Sequence, residues 1–180
     1  MKTATQGDVM AETSRRTVIL GLSLVIFALA VVLRIGLLDI APEFDELYRL
    51  LAARSWISEG TLAILDGEYL RGSYFTKAVA AVMEGFGEDL ATGRLLTVLV
   101  GGLIPVVLFV WVNRAVGLAV ALIVAALTVV WPQGILEAQT MRFYAPQVLA
   151  FVMGASARYM ASAQPPSNRV VWGVIAIVAW

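Results

Sequence analysis

The sequence predicts an all-α polytopic transmembrane helix bundle with interfacial helices in its first external loop. Three observations predict it. Of 180 residues, 60% are hydrophobic and 14% are charged, whereas soluble domains average about 45–50% apolar and 25% charged residues. A domain this small leaves much of its surface in water, so its interior cannot hide that apolar excess. The apolar residues are also gathered into runs of membrane-crossing length, with most charges in the segments between them.

Composition removes several function classes. Thirteen basic and thirteen acidic residues cancel, so no basic field points to a nucleic acid partner. The absence of cysteine removes disulfides and thiolate metal sites. The absence of histidine removes the commonest general base and zinc ligand, and with it serine–histidine and cysteine–histidine hydrolysis. Proton chemistry falls to Asp, Glu, Lys, Arg or Tyr.

Residues 1–16 are polar, end in Arg15-Arg16, and read as a frayed cytoplasmic tail. The stretch 17–38 carries one charge, Arg34, and its 22 residues span a hydrocarbon core of about 30 Å at about 1.5 Å per residue. Ser14-Arg15-Arg16 before an apolar run that contains Ala28-Leu29-Ala30 resembles a signal peptide. The run continues past that candidate cleavage site, which favours an uncleaved anchor. Further spans are expected at about 92–112, 115–134 and 143–162. The last apolar piece, 170–180, covers roughly 16 Å as helix, about half a bilayer. The chain is therefore expected to be the front portion of a longer protein.

The basic residues set an orientation. Lys2, Arg15 and Arg16 precede the first span, Arg114 lies between the second and third, and Arg169 precedes the last. A cytoplasmic N-terminus puts all of them inside, as the positive-inside rule prefers, and fits a multi-pass protein of a bacterial-type plasma (inner) membrane. The acidic segment 39–90 and the turn around 137–142 then lie outside. This requires that 73–83, which is short and carries Lys77, lie along the membrane.

Within the external segment, Ala41-Pro42-Glu43-Phe44-Asp45-Glu46 reads as a helix start, because proline fits the first turn and carboxylates favour the positive end of the helix dipole. On a helix over 43–59, Phe44, Leu47, Leu50, Leu51 and Ile57 form one apolar side. Asp45, Arg49, Ala52 and Trp56 fall opposite. The acids there have two readings: helix caps with an Asp45–Arg49 pair at i,i+4, or catalytic carboxylates. Arg71 and Lys77, among Tyr69, Tyr74 and Phe75, read either as a headgroup-level belt or as a clamp for a lipid phosphate. A second external site is Glu137-Ala138-Gln139-Thr140-Met141-Arg142-Phe143-Tyr144, bracketed by Pro132 and Pro146, which end or bend the flanking helices. Arg94 is expected to pair with Glu88 or Asp89, or to snorkel at the start of its span. Gly101-Gly102 with Pro105, and the Gly117/Ala121 spacing, predict close helix packing. Residues 164–168 read as a loop.

The order of "FDELYRLLAARSWISEG", then "LDGEYLRGSYFTKAVAAVMEGFGEDLATGRLLTVLVGG", then "EAQTMRFYAPQ" resembles the N-terminal half of polytopic GT-C glycosyltransferases. That superfamily includes the protein O-mannosyltransferase and lipid A aminoarabinose transferase branches. The resemblance covers roughly residues 17–180 and rests on Asp45-Glu46-x-Tyr48, Phe86-Gly87-Glu88 with Arg94, and Arg142-x-Tyr144. It implies transfer of a sugar from a polyprenyl-phosphate-linked donor to an acceptor on the outer face of the membrane, with inversion. It implies Asp45 as the catalytic base, Glu46 in support, and Arg71, Lys77, Glu137, Arg142 and Tyr144 around the substrates. Partners would be the donor, membrane lipid and an acceptor the sequence does not identify. No cofactor is certain; the two carboxylates offer the oxygen ligands a divalent cation takes. The chain departs from many relatives at Arg71-Gly72-Ser73, where those carry a Pro-Pro pair, and at Gln139, where those carry a basic residue. The competing expectations are a small non-catalytic transporter or assembly subunit, and an inactive glycosyltransferase fragment.

Overall fold

The computed structural model describes residues 6–163 except Leu37, Asp39 and Asp66. Lys2, the loop 164–168, Arg169 and the expected final span 170–180 lie outside the described residues, as do the acids Asp39 and Asp66.

The described residues form seven helices and one small hairpin. Helix α1 runs Gln6–Ile35 and therefore starts inside the segment expected to fray. No glycine or proline interrupts residues 8–20, so helix propagates outward from the apolar part at little cost. An Arg16–Glu12 pair at 2.5 Å supports that end. Helix α4 spans Leu90–Ala115, with the Asp89 side chain accepting from the Thr92 amide at its start. These two helices, α1 over Glu12–Ile35, are long and apolar enough to cross a membrane.

The expected third span is broken. Helix α5, Leu118–Val129, and helix α6, Pro132–Ala138, meet at 57°. Pro132 lies in the first turn of α6, where its missing N–H is not needed and its ring blocks continuation of α5. Arg34, buried in α1, donates from Nη1 to Ala30 O at 2.9 Å and to Val129 O at 3.4 Å, the latter a terminal carbonyl of α5. Helix α7, Tyr144–Ala163, matches the expected fourth span in length. It is not among the helices long and apolar enough to cross a membrane, because Pro146, Gln147 and Arg158 dilute its apolar character.

Between α1 and α4 lies the segment that builds the site. Helix α2, Phe44–Glu59, ends at Gly60, whose left-handed backbone (φ 72°) returns an N–H to Trp56 O. The antiparallel hairpin of β1, Ala63–Ile64, and β2, Gly67–Glu68, follows and is a small exception to an all-α chain. It folds Leu62 and Tyr69 against Ala52 of α2. Helix α3, Ser73–Phe86, is 14 residues long, about 21 Å, and is not among the helices long and apolar enough to cross a membrane. The expected apolar side of α2 divides. Phe44, Leu47 and Leu51 are exposed, whereas Leu50 and Ile57 pack with Val79, Ala80 and Met83 of α3. The opposite side, with Arg49 and Ala52, is buried in the chain.

Two apolar clusters hold these layers. Ile26, Ala30, Phe109, Ala121, Ala125 and Val129 join α1, α4 and α5, where the alanines let backbones approach. The second cluster joins α2 and α3 to Met141. Gly101 of α4 is needed for its hydrogen: a Cβ there would meet Ala138 Cβ at 2.7 Å and Arg34 Nε at 3.4 Å. Gly101→Ala is expected to destabilise the fold by about 1–3 kcal/mol through overpacking, read as a lower thermal midpoint in detergent. Gly85→Ala, with nothing within 4 Å, serves as the control that does not fall.

Candidate functional site: a carboxylate among guanidinium groups

The site begins with a buried ion pair. Glu46 and Arg94 have fully buried side chains. Glu46 Oε1 accepts from Arg94 Nε at 3.0 Å and from the Met141 amide at 2.5 Å. Its Oε2 accepts from Arg94 Nη2 at 2.7 Å and from the Glu43 amide at 3.0 Å. Arg94 Nη1 donates to the carbonyls of Leu38 (2.6 Å) and Ile40 (2.9 Å). One carboxylate and one guanidinium thus tie the start of α2, the first turn of α4, the segment after α1 and the α6–α7 loop. Burial pushes the Glu46 carboxyl up, but the Arg94 hydrogen bonds and the two backbone amides outweigh it and hold the group below the usual range. The expected partners of Arg94 are therefore corrected: Asp89 caps α4, and the Glu88 carbonyl accepts from Arg54. Glu46, expected to support Asp45, has both carboxylate oxygens engaged by Arg94 and by the Met141 and Glu43 amides.

Above that pair sits Arg49, also fully buried. It donates from Nη1 to Met141 O at 2.5 Å and from Nη2 to Tyr69 Oη at 2.9 Å. Its guanidinium lies 5.2–5.6 Å from the ring centres of Phe75, Tyr69 and Phe143, within cation–π range. Burial pushes Arg49 down from its ordinary value, with Tyr69 and Asp45 opposing; an arginine stays charged nonetheless. The Tyr69 hydroxyl in turn donates to Asp45 Oδ1 at 2.9 Å. Burial and that hydrogen bond push Tyr69 up, which keeps it a donor. The i,i+4 pair expected between Asp45 and Arg49 is thus replaced by a relay through Tyr69.

Asp45 is the exposed end of this stack, with a quarter of its side chain accessible. Arg71 Nη1 lies 4.0 Å from Oδ1 and Arg142 Nε lies 3.9 Å from Oδ2, distances of ion pairs and not of hydrogen bonds. Arg142 also pairs with Glu43, and its Nε is buried with no hydrogen-bond partner. Three guanidinium groups (Arg49, Arg71, Arg142) thus face two carboxylates (Glu43, Asp45), an excess of one positive charge.

A turn at Gly72, left-handed at φ 65°, delivers Arg71 to this place and starts α3. A Cβ on Gly72 would sit 3.5 Å from Phe143, so the two loops meet closely there. Alongside runs a groove of about 480 Å³, lined by Arg71 and by Phe75, Phe143, Pro146 and Ala150.

Of the residues expected around substrates, Asp45, Arg71 and Arg142 come together. Tyr144 stacks near Arg142, its ring centre 5.8 Å from the guanidinium. Lys77 is held over the Trp56 ring at 4.0 Å. Glu137 accepts from Gln133 within α6 at 2.7 Å, and among the described residues it makes no ion pair with a basic side chain. Among the described residues no three carboxylates gather to hold a metal ion, and the engaged oxygens of Glu46 cannot join Asp45 in a shared shell without breaking the Arg94 pair. Sequence reasoning gave Arg49 only as an i,i+4 partner of Asp45 and did not assign Arg94 to this site. The available signal was a charged residue one turn from Asp45, and another at the mouth of an apolar helix.

No protein-family model, curated protein or solved structure matches this chain.

Proposed function

We propose that the chain carries the catalytic end of a multi-pass membrane glycosyltransferase. The enzyme moves a sugar from a polyprenyl-phosphate-linked donor to an acceptor hydroxyl on the outer face of the membrane. The observation that carries this reading is a partly exposed carboxylate, held by Tyr69 and flanked by Arg71 and Arg142, beside an apolar groove. The N-terminus is cytoplasmic in this proposal, and the membrane is of the bacterial plasma type.

The chemistry follows from the groups present. Asp45 takes the proton of the acceptor hydroxyl as its oxygen attacks the anomeric carbon. The bond from that carbon to the phosphate oxygen breaks, and its electron pair leaves with polyprenyl phosphate. Attack opposite the leaving group inverts the anomeric centre. The phosphate needs no proton to depart, so one carboxylate suffices where glycosidases use two. Arg142 Nε, a buried donor without a hydrogen-bond partner, and Arg71 stabilise the charge that develops on the phosphate. The isoprenoid chain lies along Phe75, Phe143, Pro146 and Ala150. The resemblance to GT-C glycosyltransferases points the same way.

The test is a transfer assay in proteoliposomes with a sugar-labelled polyprenyl-phosphate donor. Arg142→Gln is expected to lower kcat/KM for the donor by about 100-fold. Lys77→Gln, whose ammonium lies over Trp56, is expected to change it little. Equal effects of the two substitutions would remove the phosphate from Arg142.

A further inference from the structure

A second cationic recess lies between α1 and α4 at their ends away from Asp45. Helices α1 and α4 run antiparallel: Arg94, at the start of α4, reaches the carbonyls just past α1, and Gly102 abuts Phe27 and Val31. The beginning of α1 therefore lies beside the end of α4. A recess of about 600 Å³ opens between them, lined by Arg15, Arg16, Arg114 and Asn113 together with the apolar Ile19, Leu20 and Val110. Arg16 is tied to Glu12. Among the described residues Arg15 and Arg114 make no ion pair with an acid. Three arginines and one glutamate leave an excess of two positive charges on one cavity.

The position of the recess along α1 identifies what fits it. Arg16 and Arg34 are 18 residues apart on α1, about 27 Å along the helix axis, close to the thickness of a hydrocarbon core. Arg34 marks the end near the candidate site, so Arg15, Arg16 and Arg114 lie at headgroup level on the opposite face. Leu20, 65% exposed, continues the recess toward the hydrocarbon. We propose that this recess is a binding site for an anionic phospholipid of the leaflet opposite the Asp45 site. Arg15 and Arg114 hold the phosphodiester, and Ile19, Leu20 and Val110 receive the upper acyl chain. Basic pockets between membrane helices take anionic headgroups in this way. A free phosphate would use the guanidinium groups and leave the apolar wall uncovered, which is why the assignment is to a lipid. The proposal is independent of any glycosyl transfer.

A positive-inside bias alone also places arginines here, and lysine satisfies that bias equally. Lysine does not supply the planar fork that grips a phosphate through two parallel hydrogen bonds. The purified protein is titrated in detergent with phosphatidylglycerol, phosphatidylcholine or inorganic phosphate. Retained lipid is read by native mass spectrometry, and stability by the thermal midpoint. Phosphatidylglycerol is expected to be retained about tenfold better than phosphatidylcholine and to raise the midpoint. The Arg15→Lys/Arg114→Lys double variant is expected to insert normally and lose that preference. Glu12→Gln, which frees Arg16, is expected to strengthen it. Equal retention of the two lipids, or a lysine variant that binds phosphatidylglycerol as the parent does, overturns the proposal. Inorganic phosphate that stabilises as well as the lipid at equal concentration overturns it too, leaving a simple anion site.

Discussion

Asp45→Asn is expected to reduce sugar transfer by about 100- to 10,000-fold, the range over which a positioned base contributes, while the protein still folds and inserts. Asparagine has the volume of aspartate and an oxygen that accepts from Tyr69 Oη, so the relay from Arg49 survives. The variant loses the ability to take a proton and one negative charge between Arg71 and Arg142. Both ion pairs are near 4 Å at a partly exposed carboxylate, where such pairs contribute about 0–1 kcal/mol. The thermal midpoint should therefore move little while turnover collapses. Transfer assays and thermal melts on one preparation separate the two effects, and a variant that turns over normally would remove Asp45 from the chemistry.

The neighbouring acid should behave in the opposite way. Glu46→Ala leaves Arg94 buried without its counter-ion and strips acceptors from the Met141 and Glu43 amides, a loss of about 3–5 kcal/mol. Because the pair ties four segments together, the damage should reach Asp45 and Arg142 through their backbone supports. Glu46→Leu combined with Arg94→Met should recover part of the loss, since apolar replacements of a buried pair are often tolerated. The pair also gives stability a pH dependence. The Glu46 carboxyl lies below its ordinary value in the folded chain, so its contribution is complete above the unfolded glutamate value of about 4.3. It is lost as pH falls through the lower folded value. Thermal midpoints recorded from neutral pH into acid should drop in the parent protein. The drop should be smaller in Glu46→Gln, which has no carboxylate to protonate.

How far the sequence reaches is clearest at these two acids. Adjacent in the chain, they read as an Asp-Glu pair of one kind; the fold turns one outward and buries the other. A helix rotates neighbouring residues by about 100°, so α2 placed against α3 and α4 separates them. The partner of Glu46 was illegible, since Arg94 lies 48 residues away and local spacing favoured Glu88 and Asp89. The two helices long and apolar enough to cross a membrane, and the existence of α2 and α3, were legible, because apolar runs and a proline-led helix start are local signals. The break between α5 and α6 was half legible: Pro132 marks a helix boundary, but unbroken hydropathy carried the expected span through it. Arg34, which meets the end of α5 from 95 residues away, is a long-range contact that no local pattern announces. The relay through Tyr69 was missed for the same reason, since only the hairpin of β1 and β2 brings that ring over Asp45.

The proposal that Asp45 acts as the base in transfer from a lipid phosphate meets its most direct test in one measurement. Proteoliposomes holding the protein, a sugar-labelled polyprenyl-phosphate donor and a membrane extract as acceptor source are sampled for released polyprenyl phosphate and labelled product. The account predicts equal amounts of the two from the parent protein, and a loss of both in Asp45→Asn at unchanged donor binding. Donor left intact by the parent protein, or equal release by the two proteins, would contradict it.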